Sequence, residues 1–411
     1  RWWQVPEGTK AVSADEAAVR TRELIEDSIR LELRADVPVG SCLSGGLDSS
    51  TIVCVMCRLL AGQSGSEASH GAGNGHRPQT FSSCHADPRY DERAYIRAVL
   101  ARTGAENCEV FPDPERLFDA LPEILWHQEE PFTGTSVLAQ WEVMRAAGRA
   151  GMKVLLDGQG ADELLLGYPG YIGSHLADCI RRGRGISAAR EWAAWRRVHG
   201  GLQPTVVAGI IRGLLPEGPV RWLRSRVLGE AQWLDRGFAR TYRRPVLSSA
   251  GPSLEGRTVL GAHVVRGLTH DLPALLHYED RNAMAFSVEA RLPFLDHRLV
   301  EWLVRLPPEL KLREGMTKAV LRDAMIGVLP EGVRLRQDKM GFVTPQDEWL
   351  RVVLRSRIEA LLGSERMRAR PYWRAAALTQ LYRGYCEGRF AMGPAVWRWI
   401  NLECWLRRFI D

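Results

Sequence analysis

Apolar positions between residues 13 and 33 return at helical spacing through Val19, Leu24, Ile25 and Ile29, and Ser13 with Glu16 supplies the capping box that would start such a helix. The period then shortens. Residues 36–43, with Val37, Val39 and Leu43 around Pro38 and Gly40, form a β-prone run, residues 44–50 turn it, and residues 51–60 read as helix. Strand-like runs recur at 80–84, 108–111 and 153–156, separated by helical patterns at 92–101 and 137–150. This alternation implies an α/β fold with a doubly wound parallel sheet. Residues 61–78 are rich in Gly, Ser and His without an apolar period and read as a flexible insertion; Gly71-Ala72-Gly73 within them lacks the third glycine and the flanking strand of a dinucleotide fingerprint. Beyond about Tyr171 the strands stop and helices dominate, including basic amphipathic runs at 204–215 and 220–228 that read as covering helices of a globular body. The expected organisation is a linker and helix at 1–36, an α/β core at 37–172, and a helical region at 173–411 that completes the site.

Composition narrows the classes. A chain of 411 residues with 45% apolar and 25% charged residues is ordinary for a soluble globular protein of two or three packed units. No run approaches the ~18 apolar residues of a membrane span, and Arg1-Trp2-Trp3-Gln4 lacks the regions of a signal peptide, so a cytoplasmic protein without membrane contact is expected. Eight scattered cysteines do not form a secreted disulfide framework. Cys54 and Cys57 lie one turn apart in an apolar helix and read as buried thiols. The net charge of +6 comes with dispersed arginines and no nucleic-acid signature, so a nucleotide suffices as the anionic partner. His263, His270 and His277 recur every seven residues and would line one side of a helix, in structural rather than metal-binding roles.

The sharpest chemical signal is Ser44-Gly45-Gly46-Leu47-Asp48-Ser49-Ser50, between a strand and a helix. Two glycines clear space for a phosphate chain, and successive amides with the helix N-terminus supply donors and the positive end of a dipole. The hydroxyls of Ser44, Ser49 and Ser50 add further bonds. Asp48 would repel phosphate directly, so its role is to hold a magnesium ion that binds it. The alternative is a tight turn with a serine cap. No Gly-x-x-x-x-Gly-Lys-Ser/Thr is present, which removes the P-loop reading. The second signal is Asp157-Gly158-Gln159-Gly160-Ala161-Asp162-Glu163, following the strand 153–156. Ligands of open parallel sheets bind beyond the carboxyl ends of the strands, so this loop should stand beside the first, with Asp162 as second magnesium ligand or else as part of a solvated acidic turn.

With these residues in view, the sequence resembles the asparagine synthetase family: residues 44–50 look like its pyrophosphate loop and 158–168 (GQGADELLLGY) like its second signature. The resemblance continues in order through 276–298, 317–325 and 336–345 and covers nearly the whole chain. It implies ATP bound by Leu43, Ser44, Gly45, Gly46, Leu47, Asp48, Ser49, Ser50, Ser82 and Gly158, and magnesium on Asp48 and Asp162. An acyl-AMP intermediate is implied as well, with Lys339 stabilising the charge that develops on the reacting groups. Lys318 and Arg322, one turn apart, reach the departing pyrophosphate or form an exposed basic face. The family's ammonia-using members begin with a glutaminase domain, whereas this sequence has only about 40 residues before its core, and its opening resembles the segment joining the two domains, as in a fragment or processed chain. Gln159 stands where asparagine synthetases commonly carry Glu and β-lactam synthetases Tyr. It orients the nucleophile but takes no proton, so either Glu163, Glu289 or another carboxylate is the base, or the amine arrives neutral. The expected activity is amidation of a small-molecule carboxylate such as aspartate by ammonia from a glutaminase domain or subunit, in a chain compatible with a homo-oligomer. The alternatives are an intramolecular cyclase of the β-lactam or lasso-peptide kind and a catalytically silent nucleotide-binding scaffold.

Overall fold

The Ser13 amide donates to the Glu16 carboxylate at 2.9 Å and the Glu16 amide to the Ser13 hydroxyl, so helix α1 (Ala14–Glu32) starts at its capping box. Leu24, Ile25 and Ile29 turn inward as the period requires, but Val19 is exposed, because the outer face of α1 meets solvent. This computed structural model describes residues 3–63, 77–201, 203–215, 232–242, 257–338 and 341–411. Most of the expected insertion, the run 220–228 and Lys339 therefore lie outside the described residues.

Among the described residues five strands form one parallel sheet in the order β3-β2-β1-β4-β5. They are β1 (Val39–Cys42), β2 (Gln79–Ser83), β3 (Glu106–Val110), β4 (Val154–Leu156) and β5 (Glu289–Arg291). β1 is central and bonded on both sides, with Ser41 opposite Thr80 and Gly40 opposite Leu155. It begins after Pro38, which has no N–H to offer a central ladder. Helix α2 (Leu47–Gln63) begins earlier than the expected 51–60, since the Ser50 amide already bonds the Gly46 carbonyl at 3.1 Å. Asp48, Ser49 and Ser50 thus sit in its first turn rather than in a loop. The expectation that strands stop after Tyr171 fails at β5, which pairs Glu289 with Val154 and Arg291 with Leu156.

The sheet is covered on both faces. Ile25 and Ile29 of α1, Val53 of α2, and Ile96 and Val99 of α3 (Arg93–Thr103) share one core with Leu156, while Val143, Met144 and Ala147 of α4 (Ser136–Arg149) share another with Phe81 and Leu155. Adjacent strand residues point to opposite faces, which is why Leu155 and Leu156 belong to different cores. A third core, dense in aromatics, joins Trp141 of α4 to Tyr382, Tyr385, Trp397 and Trp399 of the last two helices; each such burial contributes on the order of 1.5–3 kcal/mol.

A π-helical turn (Gly267–Asp271) interrupts the helical run between Val259–Arg266 and Leu272–Met284 and rotates the second helix relative to the first. The seven-residue histidine spacing therefore does not trace one stripe. His263 bonds the Ser174 hydroxyl at 2.8 Å and His277 the Gln128 carbonyl at 2.9 Å, both structural contacts. Burial pushes the Cys54 thiol up to about 12 and Cys57 to about 11, as expected of inert thiols. Among the described residues no helix is long and apolar enough to cross a membrane.

Candidate active site

The chain lays β1, β2 and β3 outward in turn and then places β4 on the other side of β1, so the segments leaving β1 and β4 diverge at the switch point of the sheet. A cavity of about 330 Å³ lies there. The first segment lends it Leu43, Ser44, Gly46, Leu47, Asp48 and Ser49; the second lends Asp157, Gly158, Gln159 and Asp162. Gly45 has φ +76°, and a Cβ there would come within 2.9 Å of Tyr95 Cβ, so only glycine makes this turn without strain. The Ser44 amide donates to Ser49 Oγ at 3.2 Å, the two hydroxyls lie 3.0 Å apart, and the Gly46 amide donates to Ser44 Oγ at 3.3 Å.

Of the residues expected to hold a nucleotide, Gly45 shapes the turn without lining the cavity, and Ser82 and Ser50 face elsewhere. Ser82 donates to Asn107 Oδ1 at 2.8 Å across to β3, and strand alternation gives its place in the cavity wall to Ser83. Ser50 is fully buried and absent from the cavity lining, because one step along α2 turns it away from the face that carries Ser49.

Lys318 stands between the two aspartates. Its ammonium is 2.7 Å from Asp162 Oδ1 and in contact with Asp48 Oδ2, with its side chain 5% exposed. Burial works against its charge, but the two carboxylates outweigh it and its pKa is raised. Lys318 is not on a helix face. It precedes the helix Ala319–Ala324 in the left-handed region, φ 58° and ψ 30°, a conformation that costs a non-glycine residue roughly 1–3 kcal/mol and occurs where surroundings enforce it. Arg322 also lines the cavity, its guanidinium bonded to the carbonyls of Thr317 and Arg334, and burial pushes its pKa down to about 10. The exposed basic face is thereby corrected: tertiary packing buries Lys318 and leaves Arg322 half-buried in the cavity wall.

Behind Gln159 lies a second acidic group. Glu279, on the helix Leu272–Met284, is 1% exposed. Its neighbours are the Asp157 carboxyl and the Gln159 amide. Burial, then mutual repulsion, pushes Glu279 well above the usual carboxylate range, and Asp157 is raised by burial as well, so each binds a proton more readily than an isolated carboxyl does. Glu289, the expected alternative, starts β5 at the amino end of the sheet, is exposed, pairs with Arg291 at 2.7 Å and does not line the cavity. Glu163 is buried and accepts the Tyr168 hydroxyl at 3.1 Å; Tyr168, not Glu163, reaches the wall.

Residues 336–338, with Gly341 and Phe342, line the other side. Arg336 is buried, pairs with Glu92 at 2.6 Å, bonds the Gly45 carbonyl at 3.2 Å and stacks over Tyr95 at 4.0 Å. It ties this segment to the glycine turn. Burial pushes Glu92 up to about 7 despite the pull of Arg336. Neither Glu279 nor Arg336 stood out in the sequence, although each lies inside a signature segment; the available signal was the adjacent Glu279-Asp280 and the Arg336–Asp338 spacing.

The model of the asparagine synthase family matches residues 20–407. The chain belongs to the asparagine synthase family. It is 26% identical to asparagine synthetase [glutamine-hydrolyzing] 1 of Bacillus subtilis, over 95% of this chain and 59% of that protein. It is 29% identical to a putative asparagine synthetase [glutamine-hydrolyzing] of Mycobacterium tuberculosis, over 80% of this chain and 48% of that one. A protein named Amidase chry2 from Gibberella zeae is 26% identical, with coverages of 85% and 55%. The chain thus spans roughly half of the length of these relatives. In this asparagine synthase family chain, the glycine turn, the paired aspartates and the Gln159 wall converge on one cavity.

Proposed function

We propose that this chain activates a carboxylate with ATP as an acyl-adenylate and transfers the acyl group to an amine. The observation that carries the reading is the meeting of the glycine turn with Asp48, Asp162, Lys318 and Arg322 at the sheet's switch point. The donor set fits magnesium: two carboxylates one ammonium apart suit an ion that takes one or two protein carboxylates and completes its shell with phosphate and water oxygens. Such an ion would neutralise charge on the β- and γ-phosphates. The amides at the start of α2 would cradle the phosphate chain. A carboxylate oxygen of the acid attacks the α-phosphorus and pyrophosphate leaves. The amine then attacks the acyl carbon and AMP leaves with the electron pair of the C–O bond. Lys339 is read as the cation that meets charge developing in both steps, a reading supported by the cavity-lining residues on either side of it, Asp338 and Gly341. Gln159 orients the amine, and the Asp157 and Glu279 carboxyls behind it serve as the proton acceptor that Gln159 is not.

The nitrogen donor has two readings. Ammonia from a glutaminase domain or subunit is one. The cyclase reading is favoured by the placing of charge: Arg336 bonds Gly45, Lys318 bonds Asp48, and Arg322 is held beside Thr317, so these three cations all gather at the phosphate end. The described wall near Gln159, with Leu275, Tyr278 and Thr133, offers no cation for the free α-carboxylate of aspartate. The test is acid-dependent exchange of labelled pyrophosphate into ATP, followed by product analysis with aspartate plus ammonium chloride or with a bifunctional peptide. Exchange with no acid of either class would reject adenylation, and amide formed from aspartate would reject the cyclase.

A further inference from the structure

The Lys318 ammonium occupies the space between the two carboxylates that the proposed function assigns to the metal. Its contacts with Asp48 and Asp162 are direct and buried, not water-separated. The surroundings are shaped for this contact. Gly167 packs against it so closely that a Cβ there would fall 1.7 Å from Asp162 Oδ1 and 2.6 Å from Lys318 Cε, and Lys318 itself adopts a left-handed backbone. Two carboxylates facing one cavity repel each other, and a tethered cation removes most of that repulsion.

We propose that Lys318 is an internal counter-ion that shares the position of the divalent cation, holding Asp48 and Asp162 together until the phosphates of a nucleotide draw it away. The inference rests on the metal reading given above. A free divalent ion has to displace an ammonium that then has no new partner, so it binds weakly. A metal–nucleotide complex brings phosphate oxygens that receive the displaced ammonium, with Arg322 on the same cavity wall. Metal and nucleotide consequently bind with positive coupling, and each raises the affinity of the other by the same factor.

The experiment measures Mn²⁺ binding from the free-ion electron paramagnetic resonance signal, with and without α,β-methylene-ATP. Wild-type protein should bind Mn²⁺ alone weakly and respond strongly to nucleotide. Lys318→Met, which keeps most of the stem and removes the charge, should bind Mn²⁺ alone about tenfold or more tightly, and the gain from nucleotide should shrink by a similar factor. Lys318→Arg should behave as wild type. Should Lys318→Met not fold, Lys318→Gln gives the same reading, and its melting temperature should rise with Mn²⁺ alone while that of wild type stays flat. A purely structural lysine predicts the opposite sign, weaker metal binding on substitution. Unchanged or weaker Mn²⁺ binding by the uncharged variants, with nucleotide-supported binding intact in wild type, overturns the counter-ion role and leaves the metal site standing. No Mn²⁺ response in wild type even with nucleotide overturns the metal reading itself.

Discussion

Asp157 and Asp162 leave the same strand five residues apart, yet their surroundings give them opposite electrostatic roles. Asp162 and Asp48 flank an ammonium and hold it in its charged form. Asp157 flanks the buried Glu279 carboxyl, which favours a shared proton. One pair is therefore suited to cations and the other to proton transfer. Residue type alone does not distinguish them; what each meets from the C-terminal half of the chain does, Lys318 in one case and Glu279 in the other.

The strongest way to break this comparison is to neutralise the cation-facing pair. Asp48→Asn or Asp162→Asn should reduce pyrophosphate–ATP exchange below detection while circular dichroism stays unchanged; normal exchange by both variants would remove the metal site. Lys339→Ala comes next. Amide product should fall by about two to three orders of magnitude at near-normal ATP affinity, the usual worth of one preorganised charge donor. A lost affinity with unchanged turnover at saturation would contradict its role.

Neutralising the proton-holding pair should act on the second step alone. Glu279→Gln is expected to lower amide formation about a hundredfold, within the range for a positioned acid–base group, while leaving exchange within about threefold. Stability gives an independent reading. The folded-state pKa of Glu279 lies above its ordinary 4.5, so its contribution is complete below that value and fades as pH rises toward the folded one. Urea midpoints of wild type should fall from pH 5 to pH 8 more steeply than those of Glu279→Gln; parallel slopes would remove the shared proton. The smallest effect is expected at Gln159. With a carboxyl already behind it, Gln159→Glu should change the rate of amide formation by less than about tenfold, under ~1.4 kcal/mol on the barrier. A larger gain would mean that the existing pair does not take the proton.

How far the sequence reveals each part of the molecule depends on the range of the interactions involved. The capping box of α1, the glycine turn and the first four strands are local patterns, and their elements appear within a few residues of expectation. β5 is three residues, Glu-Ala-Arg, without apolar alternation; its pairing with β4 makes it a strand. Glu279 meets Asp157 across more than a hundred residues, whereas Glu289, ten residues further on, lies at the opposite end of the sheet, and no local pattern separates the two carboxylates. Lys318 and Arg322 show helical spacing, but no spacing reveals that a lysine is buried ahead of its helix in a left-handed turn. Among the residues expected to hold the nucleotide, Ser50 and Ser82 turn away from the cavity, because a single step along a helix or strand decides which way a hydroxyl points.

The late origin of β5 bears on how the chain tolerates being cut. Residues 289–291 cover the main chain of Val154–Leu156, so a shortened protein ending near residue 172 would present β4 as a bare, apolar outer strand with unpaired N–H and C=O groups. Such an edge is a template for pairing with another copy. A fragment containing every residue of the glycine turn and of the 157–163 loop would thus tend to stack into aggregates rather than bind nucleotide.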